Sequence, residues 1–268
     1  MTDSIIFLGT GKGGIVAGKQ LRATGGILLR VGQNQFVIDP GPGSLVKAKE
    51  YGINLRETVA LIVTHHHLGH CNDLNAQIDS ITYSGMDRQG VLISTNTVIN
   101  GDEDLKPYLT KYHRDILERV IVVKEGQKVG INDVEITAIP ADHGGVETIG
   151  LKFVTNDFTL CYTSDTRYDK RIIENYIGSD ILILNATDMN KAENNLSISD
   201  AEKIIGIVKP SLAILTHFGV SVIQSDPIYL AREIQKKTHV QTIAAKDGMI
   251  LIPGNYAARS QQRILKSF

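Results

Sequence analysis

Six of the eight histidines in this chain fall in three places, each just behind a short apolar run. His65, His66, His67 and His70 follow ALIVT, His143 follows VEITAIPAD, and His217 closes LAILTH. Runs of this length and β-branched content read as buried strands. In a layered α/β chain the strand ends collect on one edge, where loops can gather side chains from distant parts of the sequence. Asp165, at the end of FTLCYTSD, occupies the same kind of position. The pattern therefore constrains the fold to one that converts scattered strand ends into a single cluster.

Further strands are expected at SIIFLG from Ser4, GILLRV from Gly26, QFVID from Gln35, RVIVV from Arg119, DILILN from Asp180, QTIAA from Gln241 and MILIP from Met249. Helical patterns lie between them. SDAEKIIGIV carries Ser199 three residues before Glu202, the spacing of a capping box, and DPIYLAREIQKK places Asp226 ahead of Pro227 at a first turn. Another helix is expected near CNDLNAQI. Strands lead and then alternate with helices, which favours a layered α/β sandwich. No repeat or linker-like run divides the chain, so residues 1–268 read as a single domain. Arg259, Arg263 and Lys266 in the tail AARSQQRILKSF read as a solvated face of a helix.

Side chains two apart on a strand point the same way, so His65 and His67 suit one ion, if strand geometry persists beyond ALIVT. His66 then points to the other side and reads as structural. His70, past the turn, is placed to reach a second, neighbouring ion. His143, Asp165 and His217 complete the candidate set. Imidazole with carboxylate suits zinc, with manganese or iron as alternatives. His113 and His239 have no such company and read as surface residues. Cys71 and Cys161 are too few for a disulfide framework or a cysteine-rich zinc site.

The sequence resembles the metallo-β-lactamase superfamily, whose signature is a strand followed by H-x-H-x-D-H and then isolated His, Asp and His ligands after later strands. Here the signature reads THHHLGH, accompanied by FLGTG, FVIDPGPG, PADHGG, YTSDTRY and LTHFG. The resemblance implies a four-layer αβ/βα sandwich and a two-metal hydrolase. In it His65, His67 and His143 hold the first cation, His70 and His217 the second, and Asp165 bridges both, with Asp165 and His70 as the catalytic groups. Two positions depart from the pattern. Gly69 stands where the motif has aspartate, which implies a weaker second site with three protein ligands. Asn195, in NLSISDAEKII, stands where many relatives carry a proton-donating histidine; asparagine can hydrogen-bond to substrate but is no general acid near neutral pH.

The glycines after the first strand offer two competing motifs. Gly9, Gly11 and Gly14 fit G-x-G-x-x-G, and Gly13, Gly18 and Lys19 fit most of a P-loop. Gln20 stands where a P-loop needs Ser or Thr, and no parallel βαβ unit is expected there, so a tight turn beside the metal site accounts for them better.

FLGTG, YTSDTR and LTHF resemble the ribonuclease Z and phosphodiesterase side of the superfamily, which implies phosphodiester or related phosphoester hydrolysis. The interval from His143 to Asp165 is too short for the long arm of a typical ribonuclease Z. Two alternatives compete: a mononuclear iron oxygenase using His65, His143 and Asp165, and a degenerate scaffold motivated by Gly69 and Asn195. Lys plus Arg number 28 against 29 for Asp plus Glu, so no global field concentrates a polyanion, and a small-molecule or nucleotide-type substrate is favoured over nucleic acid. The opening MTDSIIFLGTGKGG lacks a basic region followed by a long apolar run, and no stretch reaches bilayer length, so the expectation is a cytoplasmic protein with no membrane partner.

Overall fold

The computed structural model describes residues 2–257. They form two compact units, each discontinuous in sequence: residues 2–124 with 146–149 and 246–250, and residues 125–145 with 150–245 and 251–257.

The first unit is built on strands β1 (Ser4–Phe7), β2 (Ile27–Val31), β3 (Asn34–Ile38), β4 (Thr58–Val63), β5 (Val91–Ser94) and β6 (Arg119–Val122). Its helices are α1 (Ile15–Gly18), α2 (Ser44–Glu50), α3 (Leu68–Cys71), α4 (Leu74–Thr82), α5 (Asn96–Asn100) and α6 (Lys111–Ile116). β1, β2 and β3 form an antiparallel meander, and β4, β5 and β6 continue the sheet in parallel. One face of the sheet, with Ile6, Leu28, Val37, Leu61, Val63 and Leu92, packs on Ala48 of α2, on Leu74, Ile78 and Ile81 of α4, and on Val98 and Ile99 of α5. Ile5, Phe7, Leu29, Phe36, Ile38 and Ile62, which alternate with that set, are also buried. Burial on both faces is why these strands read as continuous apolar runs rather than alternating ones.

The second unit contains β7 (Lys128–Ile131), β8 (Val134–Pro140), β9 (Ile149–Val154), β10 (Thr159–Tyr162), α7 (Lys170–Ile173), β11 (Ile181–Asp188), β12 (Leu196–Ser197), α8 (Ile198–Val208), β13 (Leu212–Thr216), α9 (Val220–Gln224), α10 (Pro227–Thr238) and β14 (Thr242–Ala244). β15 (Ile250–Leu251) pairs beside β1 in the first sheet. The second sheet runs β14-β13-β11-β10-β9-β8-β7. It is parallel from β10 to β14 and antiparallel from β10 back through β9. Leu182, Leu184 and Leu215 pack on Ala201, Ile204 and Ile205 of α8, together with Ala231 and Ile234 of α10.

Each strand expected from the apolar runs is present. β5, β7, β9 and β12 were not expected, because VLIS, KVGI and IGLKFV are short or interrupted by glycine and β12 is only the two residues Leu196–Ser197. The capping box of α8 exists two residues upstream of the expected pair: Ser197 and Asp200 form it, not Ser199 and Glu202. Ser197 is the last extended residue before the helix, and a cap must itself be non-helical. α10 begins as expected, with Asp226 accepting from the Ile228 amide and Pro227 following it. CNDLNAQI is divided between α3 and α4. β1 pairs antiparallel with β2, and α1 spans only Ile15–Gly18, so the early glycines belong to neither nucleotide motif. Arg259, Arg263 and Lys266 lie outside the described residues. Among the described residues, no helix is long and apolar enough to cross a membrane.

Candidate metal centre

β4 stops at Val63, so strand geometry does not carry through His65 and His67 as expected. The chain bends instead, and His67 is the extended residue that opens α3. The outcome is still convergence. The His65 ring lies 4.9 Å from that of His67 and 4.1 Å from that of His70, centroid to centroid. His65 and His70 are buried, while His67 is exposed.

Asp39 organises this cluster, and sequence reasoning did not assign it. It is buried directly behind β3 and has a left-handed backbone, φ 50°. Its carboxylate accepts from the Thr64 amide at 2.7 Å, from the Thr64 hydroxyl at 2.9 Å and from His70 Nδ1 at 2.9 Å. Since the Thr64 hydroxyl donates to Asp39, it accepts from His65 Nδ1, 3.1 Å away. One carboxylate thus fixes two rings by Nδ1, which leaves Nε2 of each as the atom available to a cation. This is how metal-binding imidazoles are generally held. The signal in the sequence was FVIDPGPG, where an aspartate ends a strand parallel to the one leading into the histidines.

His66 lies apart from this cluster. Its Nε2 donates to the Lys106 carbonyl at 3.1 Å and its ring meets Tyr108 edge-on, which supports a structural role. His113 is half-buried rather than superficial, edge-on to Tyr112 and 3.7 Å from Asp79. His239 is exposed at the end of α10. Cys71 and Cys161 are buried and free; burial pushes both thiols up, Cys161 to about 11.

Gly69 sits in a cradle of other glycines. A β-carbon on Gly25 or Gly41 would stand 2.5 or 2.2 Å from the Gly69 carbonyl oxygen, and one on Gly13 would meet the Gly69 Cα at 3.3 Å. Those residues have no side chain because the backbone before His70 passes through their space.

In the second unit, His143, Asp165 and His217 meet at strand ends, as expected. His143 Nδ1 donates to the Asn194 carbonyl at 2.7 Å, which turns Nε2 toward Asp165. His143 Nε2 stands 3.8 Å from Asp165 Oδ2, and His217 Nε2 stands 3.5 Å from Asp165 Oδ1. Two ligands of one tetrahedral zinc, each about 2.1 Å from it, are about 3.4 Å apart. The separations fit donors that share a cation, and each oxygen of Asp165 faces a different imidazole. His217 has φ 60° and Ser164, beside Asp165, φ 55°. Non-glycine residues held there mark a backbone set by the site rather than by local preference. Asn195 is half-buried, one residue beyond the Asn194 carbonyl that holds His143. The donors present, imidazole nitrogens and one carboxylate, with His65, His70 and His143 hydrogen-bonded through Nδ1, fit a divalent transition metal.

Residues 34–218 match the family model of the β-lactamase superfamily domain. The chain belongs to the metallo-β-lactamase superfamily. Within it, the chain is 32% identical over 262 residues to MJ1374 of Methanocaldococcus jannaschii, an uncharacterized protein, covering 96% of this chain and 98% of that one. It is 25% identical over 169 residues to ribonuclease Z of Methanopyrus kandleri, 62% of this chain and 54% of the relative. Among solved structures, the metallo-β-lactamase fold protein YhfI of Bacillus subtilis superposes with a TM-score of 0.77 at 19% identity, covering 93% of this chain and 98% of that one. A diphosphatase from the PhnP family superposes at 0.70 with 19% identity, over 94% and 97%. The mixed α/β class and the two sheets are those of the superfamily. Its members are metal-binding hydrolases, and the His/Asp clusters described above are this chain's candidates for holding metal.

Proposed function

We propose that the protein hydrolyses phosphodiester or related phosphoester bonds, using a centre in which His65, His67 and His143 hold one divalent cation, His70 and His217 a second, and Asp165 bridges them. The observation that carries this reading is the Asp165 carboxylate, whose two oxygens face two different imidazoles at 3.5 and 3.8 Å. Zinc suits the donor set best. When bound, such a pair lowers the pKa of a water toward neutrality and polarises the phosphoryl group under attack.

The chain's own residues supply the frame for that chemistry. Asp39 and Thr64 hold the rings of His65 and His70 by their far nitrogens, so both are oriented before any cation arrives. The Asn194 carbonyl does the same for His143. Asn195 supplies a hydrogen bond to substrate. The class of bond is supported by the relatives, one named ribonuclease Z and another a diphosphatase, and a small-molecule or nucleotide-type substrate fits the near-neutral charge.

Metal analysis of purified protein, combined with assays on bis-p-nitrophenyl phosphate, cyclic nucleotides, lactones, thioesters and a precursor tRNA, tests the proposal. The expected result is close to two equivalents of zinc or manganese and turnover of a phosphodiester that chelation abolishes. Less than one equivalent after reconstitution, or turnover of only the lactone or thioester, overturns it.

A further inference from the structure

The carboxylate of Asp165 is held from behind by a residue outside the candidate ligand set. Asn185, in β11, donates from Nδ2 to Asp165 Oδ1 at 2.7 Å, and the same nitrogen lies 3.1 Å from the Tyr162 hydroxyl. The Asn185 amide in turn donates to Thr163 Oγ1 at 3.1 Å. All four residues are buried, so the contact is not one that water exchanges readily. The orientation of the amide is set by chemistry: rotated by half a turn, its oxygen would face a carboxylate oxygen and repel it.

The other end of the same side chain is the informative one. Asn185 Oδ1 is buried and makes no hydrogen bond. A buried acceptor left in that condition costs stability, and an apolar side chain of equal size would avoid the cost. Asparagine at this position therefore serves its donor end, and the donor end points at Asp165.

We propose that Asn185 is a positioning residue that fixes the rotation of the Asp165 carboxylate, so that Oδ1 stays with His217 and Oδ2 with His143 and the carboxylate bridges two cations instead of chelating one. The inference rests on the two-cation reading above. Carboxylates switch readily between bridging and chelating modes by rotating about the bond to Cβ; a single strong donor on Oδ1, anchored to the sheet through β11, removes that freedom.

Cobalt(II) reconstitution tests this without recourse to activity, because two cobalt ions joined by a carboxylate bridge show magnetic coupling that separate ions do not. The parent protein is expected to take up two coupled cobalt ions. Asn185→Leu, which keeps the volume and removes the unsatisfied oxygen, is expected to fold with an apo melting temperature no lower than the parent. It should bind the second cobalt about 10–100-fold more weakly and lose the coupling. Asn185→Asp, which keeps the shape and exchanges the donor for an acceptor, gives the same loss. Tyr162→Phe, which removes the amide's other partner and leaves Asp165 untouched, retains the coupling. Two coupled cobalt ions of parental affinity in either folded Asn185 variant overturn the proposal. A parent that binds a single cobalt overturns the two-cation reading itself, and the two failures are thereby distinguished.

Discussion

The Asp39 carboxylate accepts the Nδ1 hydrogen of His70 at 2.9 Å, and through the Thr64 hydroxyl it also governs His65. A residue just past β3 and one in α3, 31 positions apart in the chain, thus share one buried hydrogen bond on which the aim of two imidazoles depends. Replacing the carboxylate by an amide keeps its size but removes the charge that supports the donated hydrogen. Asp39→Asn is expected to weaken metal binding about 10–100-fold, the usual cost of losing a partner behind a ligand. Competition against a chelator of known affinity checks it; parental affinity would show that His70 is aimed by something else.

In the proposed centre Asp165 is the ligand that both cations share. Asp165→Ala is expected to purify with no tightly held metal, while His113→Ala keeps the parental content. Elemental analysis decides, and retention of two equivalents in Asp165→Ala would refute the bridge.

Gly69→Asp introduces the carboxylate that the resemblance to the superfamily motif implies at this position. It is expected to strengthen binding of the second cation, read as a steeper and tighter second step in a calorimetric titration. Gly41→Ala acts in the opposite direction, since its β-carbon would stand 2.2 Å from the Gly69 carbonyl and displace the turn that carries His70. Unchanged second-step affinity in Gly69→Asp would mean that position 69 does not face the ion.

Ser197 caps α8, and its removal is expected to cost about 1 kcal/mol in urea-unfolding free energy at neutral pH. Burial alone would push the Asp200 carboxyl up, but hydrogen bonds from Ser197 and Lys203 outweigh it and hold the group below its ordinary value. A carboxyl lowered on folding contributes stability above its unfolded pKa that disappears as pH falls through the folded one. The difference between parent and Ser197→Ala should therefore shrink on acidification below about pH 4. A difference that stays constant down to pH 2 would assign the loss to the hydroxyl alone.

Both compact units are assembled from separate stretches of sequence, so neither can be completed without chain that first passes through the other. A single unfolding transition is expected, with circular dichroism and tyrosine fluorescence midpoints coinciding. Two resolved midpoints would show units that fold independently and would end the single-domain reading.

The ligand candidates were legible because histidine and carboxylate are common metal ligands, and His65, His143, Asp165 and His217 each follow an apolar run that reads as a strand in plain sequence. Asp39 was not legible as a site residue, because an aspartate after a strand is common and its partners Thr64 and His70 are revealed only by the parallel pairing of β3 with β4. Asn185 was hidden within the apolar run DILILN, where a lone amide carries no periodic signal. The left-handed backbones at Asp39, Ser164 and His217 oppose local preference, so tertiary constraint alone accounts for them. Gly69 was visible as a departure from the motif, but the cradle of Gly25 and Gly41 that fits its backbone needed the fold.

Asp247 takes the Thr10 amide and hydroxyl on one oxygen and the Ala23 amide on the other, across 237 and 224 positions of sequence. During vectorial synthesis the glycine-rich hairpin that holds Thr10 and Ala23 is made 224 positions or more before the residue that secures it. At ordinary elongation rates it waits roughly 10–50 s for its anchor. A nascent chain arrested anywhere before residue 247 carries that hairpin untied, and with it the turn that seats His70, so the segment around Thr10 and Ala23 cannot settle until Asp247 has been made.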